Sequence, residues 1–144
     1  MPAMLLHSRI RLHAEAWILC LRFRMLLWRW PVRAVLAEAQ RLTPPWNGSV
    51  RGTGDGPELA WAIHRAARLS PGSTCLVRAL ALHVMLARRG LASVLRIGAA
   101  RAQDGDMEAH AWVEHAGQVL LGGDGQDRYV ALLSLEFPCS HRSS

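Results

Sequence analysis

The stretch Ser70-Pro71-Gly72-Ser73-Thr74-Cys75-Leu76-Val77-Arg78-Ala79-Leu80-Ala81-Leu82-His83-Val84-Met85-Leu86-Ala87-Arg88-Arg89-Gly90 decides the fold of this chain. A Pro-Gly turn leads into Ser73 and Thr74, two good helix N-caps, and Gly90 stands where a helix-ending glycine belongs. Between them Leu76, Leu80 and Val84, with Ala79 and Leu86, form a broad apolar face over about four turns. The reading is a buried helix over residues 74–89. Cys75 falls in its first turn, where unpaired N–H groups and the positive end of the helix dipole favour an anion. A nucleophilic cysteine fits that place. So does an inert one, because free cysteine is among the most buried residue types and often acts as a small hydrophobe.

Working outward, the composition bounds what this helix can belong to. The chain has 144 residues, 51% hydrophobic and 19% charged, which suits one globular domain with a real core. The formal charge is +6, and all 17 basic residues are arginine. They are scattered rather than packed into a run with interleaved aromatics, so no nucleic-acid partner is expected. Cys20, Cys75 and Cys139 have no metal-type spacing, and their odd number points to reduced thiols in a cytoplasm. No cofactor is expected.

Upstream of the helix the chain reads as helical. Residues 14–30 are strongly apolar, but Arg22, Arg24 and Arg29 interrupt them, and no run reaches the roughly 18 uncharged residues of a spanning helix. No cleavage site of small residues follows a short apolar core, so a signal peptide is not expected. The spacing predicts an amphipathic helix from about Leu5 to Trp28, with Cys20 in the core. Pro31 suits the first position of a second helix, Val32 to about Leu42. Thr43-Pro44-Pro45-Trp46-Asn47-Gly48-Ser49 breaks it, and a Gly-rich loop runs on to Pro57. A third helix is expected over residues 58–69, with Leu59, Ile63 and Ala66 inward. His64 and His83 read as ordinary helix residues.

Beyond Gly90 the apolar period changes to two. Residues 91–99 and 108–115 read as strands joined through Asp104-Gly105, and residues 118–121 as a third strand after the Ala116-Gly117 turn. Residues 129–135 add a strand or a short helix, and the tail from Pro138 reads as frayed. The fold class is α+β, a helical N-terminal half packed on a small antiparallel sheet. The chain divides into an N-terminal helical segment, residues 1–48, and a core, residues 55–137, within one domain.

His110 lies mid-strand in Ala109-His110-Ala111-Trp112-Val113-Glu114. Alternation puts His110, Trp112 and Glu114 on one face. An imidazole beside the first turn of the Cys75 helix would take the thiol proton, with Trp112 walling the substrate site. The plainer reading is a buried histidine bonded to backbone and Trp112 as core. A third group would orient the base and stabilise its charged form. Asp124, Asp127 and Glu114 are the candidates, and the returning third strand favours Asp124.

The block Ser73-Thr74-Cys75-Leu76-Val77-Arg78-Ala79-Leu80-Ala81-Leu82, followed by Arg96-Ile97-Gly98 and Ala109-His110-Ala111-Trp112-Val113-Glu114, resembles the transglutaminase-like B proteins of lasso-peptide biosynthesis. That group is related to the microcin-processing B protein, and the resemblance covers roughly residues 55–123. It implies a papain-like cysteine peptidase that removes the leader from a ribosomally made precursor. It also implies a separate ATP-dependent cyclase and a separate leader-binding protein as partners. Cys75 matches the family nucleophile and His110 its base. The family acid commonly falls where this chain has Gly122, so Asp124 is a departure by two residues. Two alternatives stay open, a transglutaminase-like acyl transferase on the same residues and a non-catalytic module that holds a peptide. Trp17, Trp28 and Trp30, with their arginines, are expected to dock a partner protein. Membrane contact through this helix is the less expected use of it.

Overall fold

The computed structural model describes residues 2–45, 55–69, 74–123 and 125–138. Four helices come first: α1 (Pro2–Arg29), α2 (Val32–Leu42), α3 (Gly56–Arg68) and α4 (Cys75–Arg88). Four strands follow: β1 (Ser93–Arg101), β2 (Met107–His115), β3 (Gln118–Leu121) and β4 (Val130–Phe137). The architecture is α+β, as the change of apolar period from helical to alternating requires.

α4 is the centre of the molecule. Every residue from Ala79 to Ala87 is buried, so the helix is covered on all sides rather than along one stripe. Thr74 caps it, its hydroxyl accepting from the Val77 N–H at 3.4 Å; Ser73, the other expected cap, lies outside the described residues. α1 lies along α4 with Leu12, Ala16, Leu19, Cys20 and Phe23 inward, at the three- and four-residue spacing of one helix face. Fully burying Phe23 contributes about 2–3 kcal/mol. Glu15 of α1 accepts from Arg89 at 2.8 Å and Arg88 at 3.2 Å, which fixes α1 against the far end of α4.

Several boundaries differ by a few residues from the periodicity reading, α1 beginning at Pro2 and β1 spanning Ser93–Arg101 among them, and two of the shifts have a clear local reason. Pro31 sits one place outside α2, because its extended backbone (φ −65°, ψ 154°) makes it the cap rather than the first helical residue. α3 begins at Gly56 instead of Glu58. Asp55 caps it by accepting from the Glu58 N–H at 2.9 Å, and Pro57 then occupies the first turn, where no N–H is needed. Among the described residues no helix is long and apolar enough to cross a membrane.

The sheet is antiparallel with strand order β3-β2-β1-β4. β1 and β2 pair from Val94–Glu114 to Arg101–Met107 without a break, and this register places Gly98 opposite His110. The segment left open between strand and helix, residues 129–135, is strand from Val130 onward. A 3-10 turn at Gln126–Arg128 leads into β4, which adds to β1 rather than to the neighbouring β3. Leu95, Ala111, Val113 and Leu135 point to the helices and close one continuous core with α1, α3 and α4.

One polar pair is sealed inside. His83 and Ser93 are almost fully buried, and His83 Nδ1 and Ser93 Oγ are hydrogen-bonded at 2.8 Å across the α4–β1 contact. Burial pushes the His83 pKa down from 6.5 to about 4. The unfolded chain therefore takes up a proton that the folded chain refuses. Stability should be full above pH 6.5 and fall as the pH drops toward 4, by on the order of 3 kcal/mol. Urea unfolding at pH 7.5, 5.5 and 4.5 measures this, and His83→Gln should flatten the acid limb. An equally steep limb in the variant would assign the acid sensitivity elsewhere.

Candidate active site

The His83–Ser93 bond sets the height of α4 on the sheet. Cys75 lies eight residues back along the helix, about 12 Å. Ile97 lies four residues on along β1, about 13 Å, running in the opposite sense. Ile97 pairs with Ala111 and Gly98 with His110, and of these Ile97 and Ala111 pack on the helical core. Cys75 is half-buried and free, packed against the helical core by its neighbours. Cys20 is a different kind of thiol. It is fully buried in α1, and that burial pushes its pKa up to about 11.

On β2, Ala111 and Val113 belong to the core beneath the helices, and His110, Trp112 and Glu114 share the other face, as their alternation predicts. The His110 Nε2 is 2.7 Å from the Gly122 carbonyl oxygen. A carbonyl only accepts, so Nε2 is the donor in this bond. The ring lies between Trp112, stacked at 6.1 Å and 24°, and Tyr129, at 4.9 Å. Trp112 is buried, and room for its ring comes from Gly98, where a Cβ would come within 3.0 Å of it. Among the described residues no hydrogen bond joins the Cys75 thiol to the His110 ring.

The candidate acids are distributed differently. Glu114 is committed elsewhere, accepting from Trp112 Nε1 at 3.0 Å and Arg96 Nε at 3.1 Å. Asp127 is exposed in the 3-10 turn. Asp124 lies outside the described residues. What spacing alone did not find is the Gly122 carbonyl as the partner of the ring, and Tyr129 as its second wall. Gly122 was visible only as a missing acid. Tyr129 reaches the site because its hydroxyl donates to Glu108 at 3.2 Å across the strands, a pairing no local pattern encodes. Among the described residues no group of three or more His, Cys, Asp or Glu is placed to hold a metal ion.

The structure thus places a half-buried cysteine at the start of the central helix and His110 on the sheet face turned away from that helix, and it does not bring the two together. Residues 17–134 match the sequence model of the transglutaminase-like superfamily, and the chain belongs to that superfamily. Its members generally include cysteine peptidases and acyltransferases. No curated protein and no solved structure matches the chain at a significant level.

Proposed function

We propose that this protein is a cytoplasmic cysteine peptidase that removes the leader from a ribosomally made lasso-peptide precursor. The observation that carries the reading is the position of Cys75, partly open on the capped first turn of α4 in a chain of this superfamily. Cys75 is the nucleophile and His110 the base. The thiolate attacks the scissile carbonyl carbon, the C–N bond breaks, and the imidazolium gives its proton to the leaving amine. Water then attacks the thioester, His110 takes a proton from it, and the carboxylate product leaves with the thiol restored. His110 lies on the face of β2 turned away from the helices, so the thiol–imidazole pairing of this reading requires β2 to move relative to the first turn of α4. The Gly122 carbonyl fixes the ring tautomer, and Asp124, two residues on, is the acid assigned to the charged ring. Trp112 backs the ring and keeps water from its rear. An amine in place of water would make the same residues an acyltransferase. The superfamily keeps that second reading in play.

The expected partners are the precursor, a separate leader-binding protein and an ATP-dependent cyclase. The outer arc of α1 is assigned to the leader-binding protein. Trp17, Trp28 and Trp30 are 44–80% exposed, and with the neighbouring arginines they supply the aromatic and arginine side chains that commonly anchor interfaces. The test is mass spectrometry of precursor incubated with the protein, with and without the leader-binding partner. Cleavage at one bond is expected, faster with the partner present, and the gain should shrink in Trp17→Ala. Asp124→Asn should slow cleavage about tenfold. An intact precursor under all conditions would overturn the peptidase reading, and equal rates with and without partner would remove the docking assignment.

A further inference from the structure

The first three turns of α1 hold four large apolar side chains in the open: Met4 is 76% exposed, Leu5 69%, and Leu6 and Ile10 59% each. Leu5 stands seven residues before Leu12 and fourteen before Leu19, on the face of α1 that those two bury in the core, yet it is not covered. This end of the helix therefore overhangs the body. Beneath the overhang lies a cleft of about 570 Å³, lined by Met4, Ser8, Arg11 and Leu12 of α1 and by Arg89, the residue that ends α4. We propose that these three turns seat the protein on an anionic lipid bilayer, the apolar side chains entering the headgroup boundary and Arg9 and Arg11 meeting lipid phosphates. This attachment goes beyond peptide cleavage and does not depend on Cys75.

Charge selects an anionic surface. Residues 2–14 include Arg9 and Arg11 and no acidic residue. The first carboxylate, Glu15, is already held by Arg88 and Arg89, and no ion pair among the described residues takes up Arg9 or Arg11. Arg11 also lines the cleft, which gives a headgroup phosphate a place beside it. Geometry selects lipid over a partner protein. Met4, Leu5 and Leu6 are consecutive, so they point across about 200° of the helix circumference. A groove in a protein covers one stripe of a helix, about 100° wide or a little more. The acyl boundary of a bilayer is apolar on every side of an entering helix end and covers all three. Trp17, Trp28 and Trp30, assigned to the partner protein, lie further along the chain, so the two contacts do not compete for the same residues. The sequence alone ranks membrane contact below protein docking for α1. The overhang reverses that order for its first three turns, because periodicity puts Leu5 in the core and only the tertiary structure leaves it open. Attachment is peripheral, since no helix among the described residues is long and apolar enough to span.

Co-sedimentation of the full chain with sucrose-loaded vesicles tests this at physiological salt. One vesicle is pure phosphatidylcholine and the other equal parts phosphatidylcholine and phosphatidylglycerol. Partitioning should be at least about tenfold stronger on the mixed vesicles. Arg9→Gln and Arg11→Gln should each weaken it about fivefold, and raised salt should erase most of that difference. Leu5→Ser combined with Leu6→Ser should weaken it at least about tenfold, on both the wild-type and the arginine-substituted background. Leu132→Ser, at an equally exposed leucine on β4, should bind as wild type does, which separates the helix end from general stickiness. All these positions are exposed, so the variants should fold, and a wild-type unfolding curve confirms it. No partitioning onto the mixed vesicles overturns the proposal, as does equal partitioning onto both kinds or binding that the Leu5 and Leu6 substitutions leave unmoved. Self-association that those two substitutions abolish, without vesicle binding, would give the helix end to a second copy of the chain and overturn it as well.

Discussion

Cys75→Ala should abolish peptide cleavage, with turnover reduced by at least about a thousandfold, while the unfolding midpoint moves little. The two halves of this expectation have separate causes. Loss of the sulfur removes the only atom able to form the thioester. Stability survives because the side chain is half-buried, the helix keeps its Thr74 cap, and alanine is the best helix former, so the cost is within about 1 kcal/mol. His110→Ala should fall nearly as far, and the double variant no further, because nucleophile and base act as one unit. Cys20→Ala serves as the contrast. That thiol is sealed in the core with its pKa pushed up to about 11, so it should neither react nor matter to turnover, and only a packing loss is expected. Precursor cleavage and iodoacetamide labelling measure the series. Near-wild-type turnover in Cys75→Ala would sink the peptidase reading.

Gly122→Ala should damage both fold and chemistry. The backbone at Gly122 has φ +78°, the left-handed region in which a side chain is strained. A Cβ there would come within 2.5 Å of the Ala111 carbonyl oxygen and 3.1 Å of the Trp112 backbone. Both neighbours are main chain in the central sheet and cannot step aside. Backbone strain and overpacking together should cost about 4 kcal/mol. The same residue holds the His110 ring through its carbonyl at 2.7 Å, so moving the strand frees the ring to change tautomer. Nitrogen NMR of His110 should show the proton on Nε2 in wild type and a mixture in the variant. Calorimetry should show the drop in stability. A variant with wild-type stability and an unchanged tautomer would mean that the close approach of β2 and Gly122 is not maintained in solution. The same geometry explains why an acid at position 122 is not simply interchangeable with this glycine, since any side chain there meets the Ala111 carbonyl first.

Much of the fold is legible in the residues because its signals are local. Thr74 before an apolar run, the change of period after Gly90 and the Asp104-Gly105 and Ala116-Gly117 turns each act within a few positions. Together they specify helices followed by hairpins. The placement of Cys75 on the first turn of a buried helix and of His110, Trp112 and Glu114 on one strand face follows from the same short-range rules. The errors are local too. Asp55 captures the Glu58 N–H and so starts α3 two residues early, a competition between caps that periodicity does not weigh.

What the tertiary structure alone decided depends on groups that are distant in sequence and identical in kind. Every strand edge offers the same N–H and C=O groups, so alternation cannot say that β4 joins β1 rather than β3. Side-chain packing of Leu135 against Leu95 decides it. His83 looks like any helical histidine until Ser93 meets it in the core. The partner of His110 is a backbone carbonyl, which every residue carries, so no residue type in the sequence could announce it. The groove between Trp28 and Val77 exists only because α1 passes the first turn of α4. Its walls come from positions some fifty residues apart, brought together by burial of the opposite face of α1.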